Sequence, residues 1–166
     1  MSAAPLRPVE ALREDDRVDD FASGVDALDR WLRHSARTAA AAGTAATYVL
    51  CRGDHVVGYY ALAMSSVARV AAPGRLRPGM PDPVPVVLLA RLALDRAEHR
   101  TGLGGDLLID ALRRCVRGAR EFGARAVVVD ALDEDAAAFY RHFGFLELEG
   151  PRLWRRISDI ERALAG

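Results

Sequence analysis

The stretch Arg91–Leu108, RLALDRAEHRTGLGGDLL, decides the fold. It reads as the end of a β-strand, a glycine-bearing turn and the first turns of a helix. Gly102, Gly104 and Gly105 fall where the strand gives way to the helix. Backbone N–H groups at a helix start have no intrahelical acceptor, and glycines leave them open to approach, so the turn is an anion cradle. It points to a ligand that carries phosphates.

Working outward, Val86–Asp95 is apolar throughout and reads as a central strand. Gly102–Phe122 reads as a helix that buries Leu103, Leu107, Leu108, Ala111, Leu112 and Cys115 at helical spacing, and Gly123 stops it. Arg125–Leu132 is a second buried strand, which completes a β-α-β unit. Asp133–His142 is a short helix capped by Asp133 and ended by Gly144. Leu146–Ile157 holds a last strand pair, and Ser158–Ala165 a terminal helix.

Upstream, residues 1–20 read as irregular. Ser23 and Asp26 form a capping-box pattern for a helix that continues through Ala39–Ala42 to Gly43, with Val25, Leu28 and Leu32 on one face and Trp31 beside them. Arg30, Arg33 and Arg37 share a flank of that helix and give it a basic stripe. Thr47–Arg52 and Val56–Val67 read as a hairpin around Gly53-Asp54. Residues 72–85 carry five prolines and two glycines and read as a loop, with Arg75 and Arg77 in it. No internal repeat is present, and residues 1–166 read as one α/β domain.

The bulk numbers agree with an ordinary globular protein. The chain has 166 residues, 51% of them hydrophobic, and a formal net charge of zero. That excludes a disordered protein or one that coats nucleic acid through overall charge. All 23 basic residues are Arg, and Lys, Asn and Gln are absent, so an Arg is weak evidence of phosphate contact. Cys51 and Cys115 lie in apolar segments without metal-type spacing and read as core thiols. His34, His55 and His142 show no ligand spacing, and no metal is expected. No signal peptide or membrane span is read, which implies a cytoplasmic protein.

The glycine spacing fits neither a dinucleotide fingerprint nor a P-loop, which needs Gly-Lys-Ser/Thr. An ordinary tight β-α connection stays open on this segment alone. A second motif, Ala136–Phe145, changes the balance. With the glycine turn it resembles the GNAT family of acetyl-CoA-dependent N-acetyltransferases. The family's Arg/Gln-x-x-Gly-x-Gly/Ala signature falls on His99-Arg-Thr-Gly102-Leu-Gly104, with His99 in place of the usual Arg or Gln. Its FY-x-x-x-GF ending is matched by Phe139, Tyr140, Gly144 and Phe145. Further segments, among them Phe21–Leu32, Val57–Leu62, Pro73-Gly-Arg-Leu, Met80-Pro-Asp-Pro and Arg91-Leu-Ala, resemble the toxin branch of that family. The branch belongs to type II toxin–antitoxin pairs and acetylates the amino acid on charged tRNA. The likeness runs from about Phe21 to Phe145.

The resemblance implies the GNAT fold, a mixed central sheet with splayed central strands flanked by helices. It places the pantetheine of acetyl-CoA along Leu92, Ala93 and Leu94. Its pyrophosphate falls on the turn Arg100, Thr101, Gly102, Leu103, Gly104 and Gly105. Tyr140 is the implied general acid toward the departing sulfur, and its phenol is protonated at neutral pH. No general base is evident. Arg30, Arg33, Arg37, Arg75, Arg77, Arg91 and Arg141 are candidates for a tRNA-binding rim; a solvated, purely structural set of charges is the alternative. The branch further implies a ribbon-helix-helix antitoxin and a homodimer. Two other readings remain: a GNAT enzyme acting on a small amine, a peptide or a protein Lys, and a non-catalytic CoA-fold module that works through a partner.

Overall fold

The structure, a computed structural model, describes residues 4–68, 71–74 and 79–166. Among them are seven strands: β1 (Glu10–Ala11), β2 (Ala46–Arg52), β3 (His55–Val67), β4 (Val84–Leu94), β5 (Ala126–Asp130), β6 (Leu146–Glu149) and β7 (Arg152–Arg156). The helices are α1 (Asp26–His34), α2 (Ala36–Ala42), α3 (Leu103–Phe122), α4 (Glu134–His142) and α5 (Ile157–Ala165). The strands form one sheet in the order β1-β2-β3-β4-β5-β7-β6. It is mixed: β4 and β5 are parallel, whereas β1–β2, β2–β3, β5–β7 and β6–β7 are antiparallel. This is the expected α/β architecture, with α3 as the crossover of the β-α-β unit.

The chain divides into two compact units, Met1–Ala63 with Arg91–Ala111, and Met64–Ala90 with Leu112–Gly166. In the first, Phe21, Leu32, Ala36, Val49, Cys51, Val56, Tyr59 and Ala93 form a buried cluster, against which Leu28 and Trp31 pack. In the second, Val84, Val86, Ala126, Val128 and Trp154 do the same. Both thiols are buried, and burial pushes Cys51 up to about 11 and Cys115 up to about 12, so neither is a nucleophile at neutral pH.

Several local expectations need correction. The helix expected as one piece breaks at Ser35 into α1 and α2. Its entry uses a different partner: Asp29, not Asp26, accepts from the Ser23 N–H (3.0 Å) and hydroxyl (2.7 Å), because Asp29 is the buried acid of the pair. Val25 is 40% exposed and stands outside the buried face. Residues 1–20 are not wholly irregular. Glu10 and Ala11 pair with Val49 and Tyr48, and bridges join Leu6 to Arg52 and Arg17 to His55. The pairings of Leu6, Glu10 and Ala11 cover the outer edge of β2, and Arg17 bridges the first residue of β3, which the local sequence could not reveal. Finally, β4 begins at Val84, so the proline-rich loop is shorter than expected, and Pro85 sits inside the strand with its carbonyl accepting from the Arg125 N–H (2.9 Å).

In the second unit, α4 starts as the sequence predicts, the Asp133 carboxylate accepting from the Ala136 N–H (2.8 Å). It ends before Gly144, whose φ of +88° favours glycine, and an added Cβ there would lie 2.9 Å from the Arg155 guanidinium. That guanidinium is itself held by the Phe143 carbonyl (2.8 Å). Gly144→Ala is therefore expected to lower the unfolding free energy by about 1–2 kcal/mol, measured by urea denaturation.

Candidate active site

The first unit contains the strand end and the glycine turn. The peptide joining Leu94 to Asp95 sets their geometry. Its N–H donates to the Val57 carbonyl on β3 (2.8 Å). A trans peptide directs its carbonyl the opposite way, and there the Leu94 oxygen accepts from His99 Nε2 (2.8 Å). Strand alternation then turns the Leu94 N–H and the Leu92 carbonyl away from β3, while the Ala93 backbone groups face β3. The Ala93 side chain is buried in the core. The registered pairing of β4 with β5 stops at Leu89–Val129, although β4 runs on to Leu94. Leu92 and Leu94, beyond the registered pairs, thus offer one acceptor and one donor on the side away from β3, where an amide-bearing chain can add as a strand.

Beyond Leu94 the turn is held at each step. Asp95 accepts from the Ala97 N–H (2.9 Å) and from the Ala22 N–H (3.0 Å). The Arg96 N–H donates to the Ala22 carbonyl (2.9 Å). The Thr101 hydroxyl donates to the Glu98 carbonyl (2.6 Å). Arg100 (φ +64°) and Gly102 (φ +83°) both take the left-handed conformation, which aims the chain into α3. Asp106 is the first residue of this segment whose N–H finds a helical acceptor, the Gly102 carbonyl (3.2 Å). The N–H groups of Leu103, Gly104 and Gly105 have no such partner among the described residues, which is the condition for an anion cradle. Arg100 is exposed and makes no ion pair among the described residues, so its charge is available beside them. The residues present fit a pyrophosphate at the turn and a pantetheine along that side of β4.

The same unit holds four of the expected basic residues, in unlike roles. The Arg91 guanidinium lies 4.3 Å from the centroid of the Trp31 ring. Trp31 stacks on Tyr59 at 6.0 Å and 10°. Tyr59 donates to the Leu28 carbonyl (2.7 Å), and burial raises its phenol well above the usual range. Arg91 is thus placed over an aromatic layer, with its charge unpaired among the described residues. Arg30 is mostly exposed and pairs with Asp26 (3.1 Å). Arg33 donates to the Phe21 carbonyl (3.1 Å), and Arg37 to the Arg13 and Asp16 carbonyls (both 2.8 Å). The basic stripe therefore divides into an outward Arg30 and two arginines that fasten the preceding chain.

In the second unit Tyr140 is 6% exposed, between Phe139 (5.3 Å) and Phe145 (5.6 Å). Burial raises its phenol above the usual tyrosine range. Its hydroxyl has no hydrogen-bond partner among the described residues, so its proton is uncommitted. Arg141 is engaged, bonding to Glu134 (3.0 Å) and lying 3.8 Å from Glu147. Arg75 and Arg77 lie outside the described residues.

A family model described as the acetyltransferase (GNAT) family matches residues 9–145. The chain belongs to the GNAT acetyltransferase family. It is 50% identical over 143 residues to a tRNA-acetylating toxin of Mycobacterium tuberculosis (strain ATCC 25618 / H37Rv), an alignment spanning 86% of this chain and 84% of that one. Its fold matches AtaT complexed with acetyl-methionyl-tRNAfMet at a TM-score of 0.88 and 29% identity, over 96% of this chain and 99% of that one. It also matches a Tyr→Phe mutant of AtaT bound to the C-terminus of the antitoxin AtaR and acetyl-CoA. The TM-score there is 0.84, at 28% identity over 98% and 99% of the two chains. No described helix is long and apolar enough to cross a membrane. No group of three or more His, Cys, Asp or Glu among the described residues could hold a metal ion.

Within this GNAT chain, the sequence did not reveal the fasteners of the turn. Asp95 carried the available signal, since Asp after a strand commonly hydrogen-bonds its own backbone two residues on. His99, the one departure from the family signature, has a structural task that sequence spacing could not show. His99→Leu removes the donor to Leu94 and is expected to cost about 1 kcal/mol of stability. It should also speed amide hydrogen exchange at Asp95 and Asp106, whose N–H groups donate to the Val57 and Gly102 carbonyls, read by exchange mass spectrometry.

Proposed function

We propose that this chain is an acetyl-CoA-dependent N-acetyltransferase that acetylates the α-amino group of the amino acid on charged tRNA, and so blocks translation as the toxin of a toxin–antitoxin pair. The observation that carries the reading is the 50% identity to a tRNA-acetylating toxin over 86% of the chain. The AtaT match, whose complex contains acetyl-methionyl-tRNAfMet, supports the same substrate class. Residues 1–166 are read as one such domain.

Acetyl-CoA supplies an activated thioester. In this reading Leu92 and Leu94 hold the pantetheine amides along the side of β4 away from β3. The N–H groups of Leu103, Gly104 and Gly105, with Arg100, Thr101 and Gly102, take the pyrophosphate. As the amine nitrogen bonds to the acetyl carbon and the C–S bond breaks, Tyr140 gives its phenolic proton to the sulfur. The amine loses a proton to water, and Tyr140 is reprotonated from water. The α-amino group has an ordinary pKa of about 7.7–8.0, so a fair share is neutral near pH 7 without a dedicated base. Arg91 on Trp31, together with Arg75, Arg77 and the mostly exposed Arg30, whose ion pair with Asp26 lies at the surface, is the proposed basic rim for the tRNA. Arg33, Arg37 and Arg141 contribute less, because carbonyl or carboxylate contacts engage these less exposed side chains. A ribbon-helix-helix antitoxin, a homodimer and a cytoplasmic location belong to the same proposal. The antitoxin rests on the AtaT–AtaR complex.

The deciding experiment incubates bulk charged tRNA with acetyl-CoA and the purified chain and reads the aminoacyl group by mass spectrometry. An acetylated aminoacyl-tRNA is expected. Unmodified tRNA alongside acetylation of a small amine, a peptide or a protein Lys would move the reading to another GNAT substrate. Tyr140→Phe is expected to lower kcat by about 10²–10⁴-fold while leaving acetyl-CoA binding intact, and to relieve growth inhibition on expression. Because the folded phenol is raised above its ordinary value of about 10, Tyr140 keeps its proton as pH rises from 7 to 9. The kcat profile is expected to show no alkaline fall from this group in that window, which a pH–rate series checks.

A further inference from the structure

Glu98 is the most deeply buried charge of the turn, at 6% exposure. Its carboxylate meets the Arg52 guanidinium in a two-pronged contact, Nε to Oε1 at 2.5 Å and Nη2 to Oε2 at 3.1 Å. The guanidinium hydrogen bond holds the Glu98 carboxyl below the usual carboxylate range. The pair joins the end of β2 to the 3-10 turn Arg96–Glu98, which directly follows β4. From Glu98 the fastening continues forward, since its carbonyl accepts the Thr101 hydroxyl (2.6 Å). Glu98 and Thr101 therefore bracket Arg100, a non-glycine residue held at φ +64°. A left-handed conformation at such a residue persists only where its surroundings over-determine it.

The pair is only partly buried, the Arg52 side chain being 28% exposed, and such a pair is a poor stability device, because desolvation offsets much of its attraction and apolar replacements are often neutral. What a forked Arg–carboxylate contact supplies is direction. We propose that Arg52 and Glu98 are positioning residues for acetyl-CoA: their pair fixes the turn that sets Arg100, Thr101 and the first amides of α3 for the pyrophosphate. The assignment rests on the acetyl-CoA reading above. Neither residue belongs to the family signature, and Arg52 is distant from it in sequence.

The test uses the full chain and three versions of the pair: the single swaps Arg52→Glu and Glu98→Arg, the double swap, and the apolar double Arg52→Met/Glu98→Leu. Acetyl-CoA binding is read by titration calorimetry, kinetics by KM and kcat, and folding by thermal melting. The apolar double is expected to melt like the parent yet bind acetyl-CoA about tenfold or more weakly. Its KM for acetyl-CoA should rise to match, with kcat and the KM for charged tRNA within about twofold, the pattern of lost ground-state binding. The single swaps should weaken binding further, and the double swap should recover most of it. An apolar double that binds acetyl-CoA like the parent, or a double swap no better than the singles, overturns the positioning role. If the parent chain itself gives no heat with acetyl-CoA, the acetyl-CoA reading falls and this assignment with it; binding by the parent separates the two failures.

Discussion

The peptide between Leu94 and Asp95 is the constraint on which the site in the first unit depends. Its two polar groups are satisfied on opposite sides, by Val57 on β3 and by His99. The Asp95 side chain adds bonds to Ala22 and Ala97. Four short hydrogen bonds thus converge where β4 gives way to the turn. Each is worth about 1 kcal/mol net, but their geometric effect is larger. They fix which backbone groups of β4 face away from β3 and the direction in which the chain enters α3. If the peptide turned over, the Leu94 carbonyl would compete for β3 and the turn would lose its origin.

Tyr140, the general acid of the proposal above, illustrates how environment suits an ordinary side chain to a role. A general acid at neutral pH must still hold its proton and must be able to release it to the reacting atom alone. Burial among Phe139 and Phe145 meets the first condition by disfavouring the phenolate. The absence of a protein acceptor among the described residues meets the second. The contrast with Tyr59 and Tyr60 is instructive. Their hydroxyls are committed, to the Leu28 carbonyl (2.7 Å) and to the Asp110 carboxylate (2.6 Å), and each fastens one element to another.

Much of the framework was legible because it is written in short-range signals. The apolar runs of β4 and β5, the Asp133 cap, and Gly123 and Gly144 after their helices all act within a few residues, and the elements lie where those signals put them. What escaped depends on pairing at a distance. Residues 6–17 look irregular because their order comes from β2 and His55, some 40 residues on. The break at Ser35 separates two segments that both favour helix, so local propensity gives no warning of it. In the candidate site, the glycine turn was readable by type and spacing, whereas Tyr140 came from the resemblance to the family's FY-x-x-x-GF ending. The Arg52–Glu98 pair and the His99 contact were not readable, because an arginine in a chain with 23 of them carries little information until its partner is seen.

That last point bears on how a chain of zero net charge would hold the tRNA of the proposal above. Long-range attraction cannot select the ligand when positive and negative charges balance overall. Selection must come from arginines whose charge the protein leaves unspent. Arg33, Arg37, Arg52, Arg141 and Arg152 are bound to carbonyls or carboxylates. Arg91 is held by a ring face instead, which orients the guanidinium without neutralising it. Arg100 beside the cradle is likewise unpaired among the described residues. A protein that encodes every cation as arginine can therefore separate structural from ligand-binding charges by the partner alone. Carbonyl and carboxylate partners consume the donors, whereas an aromatic partner leaves them open.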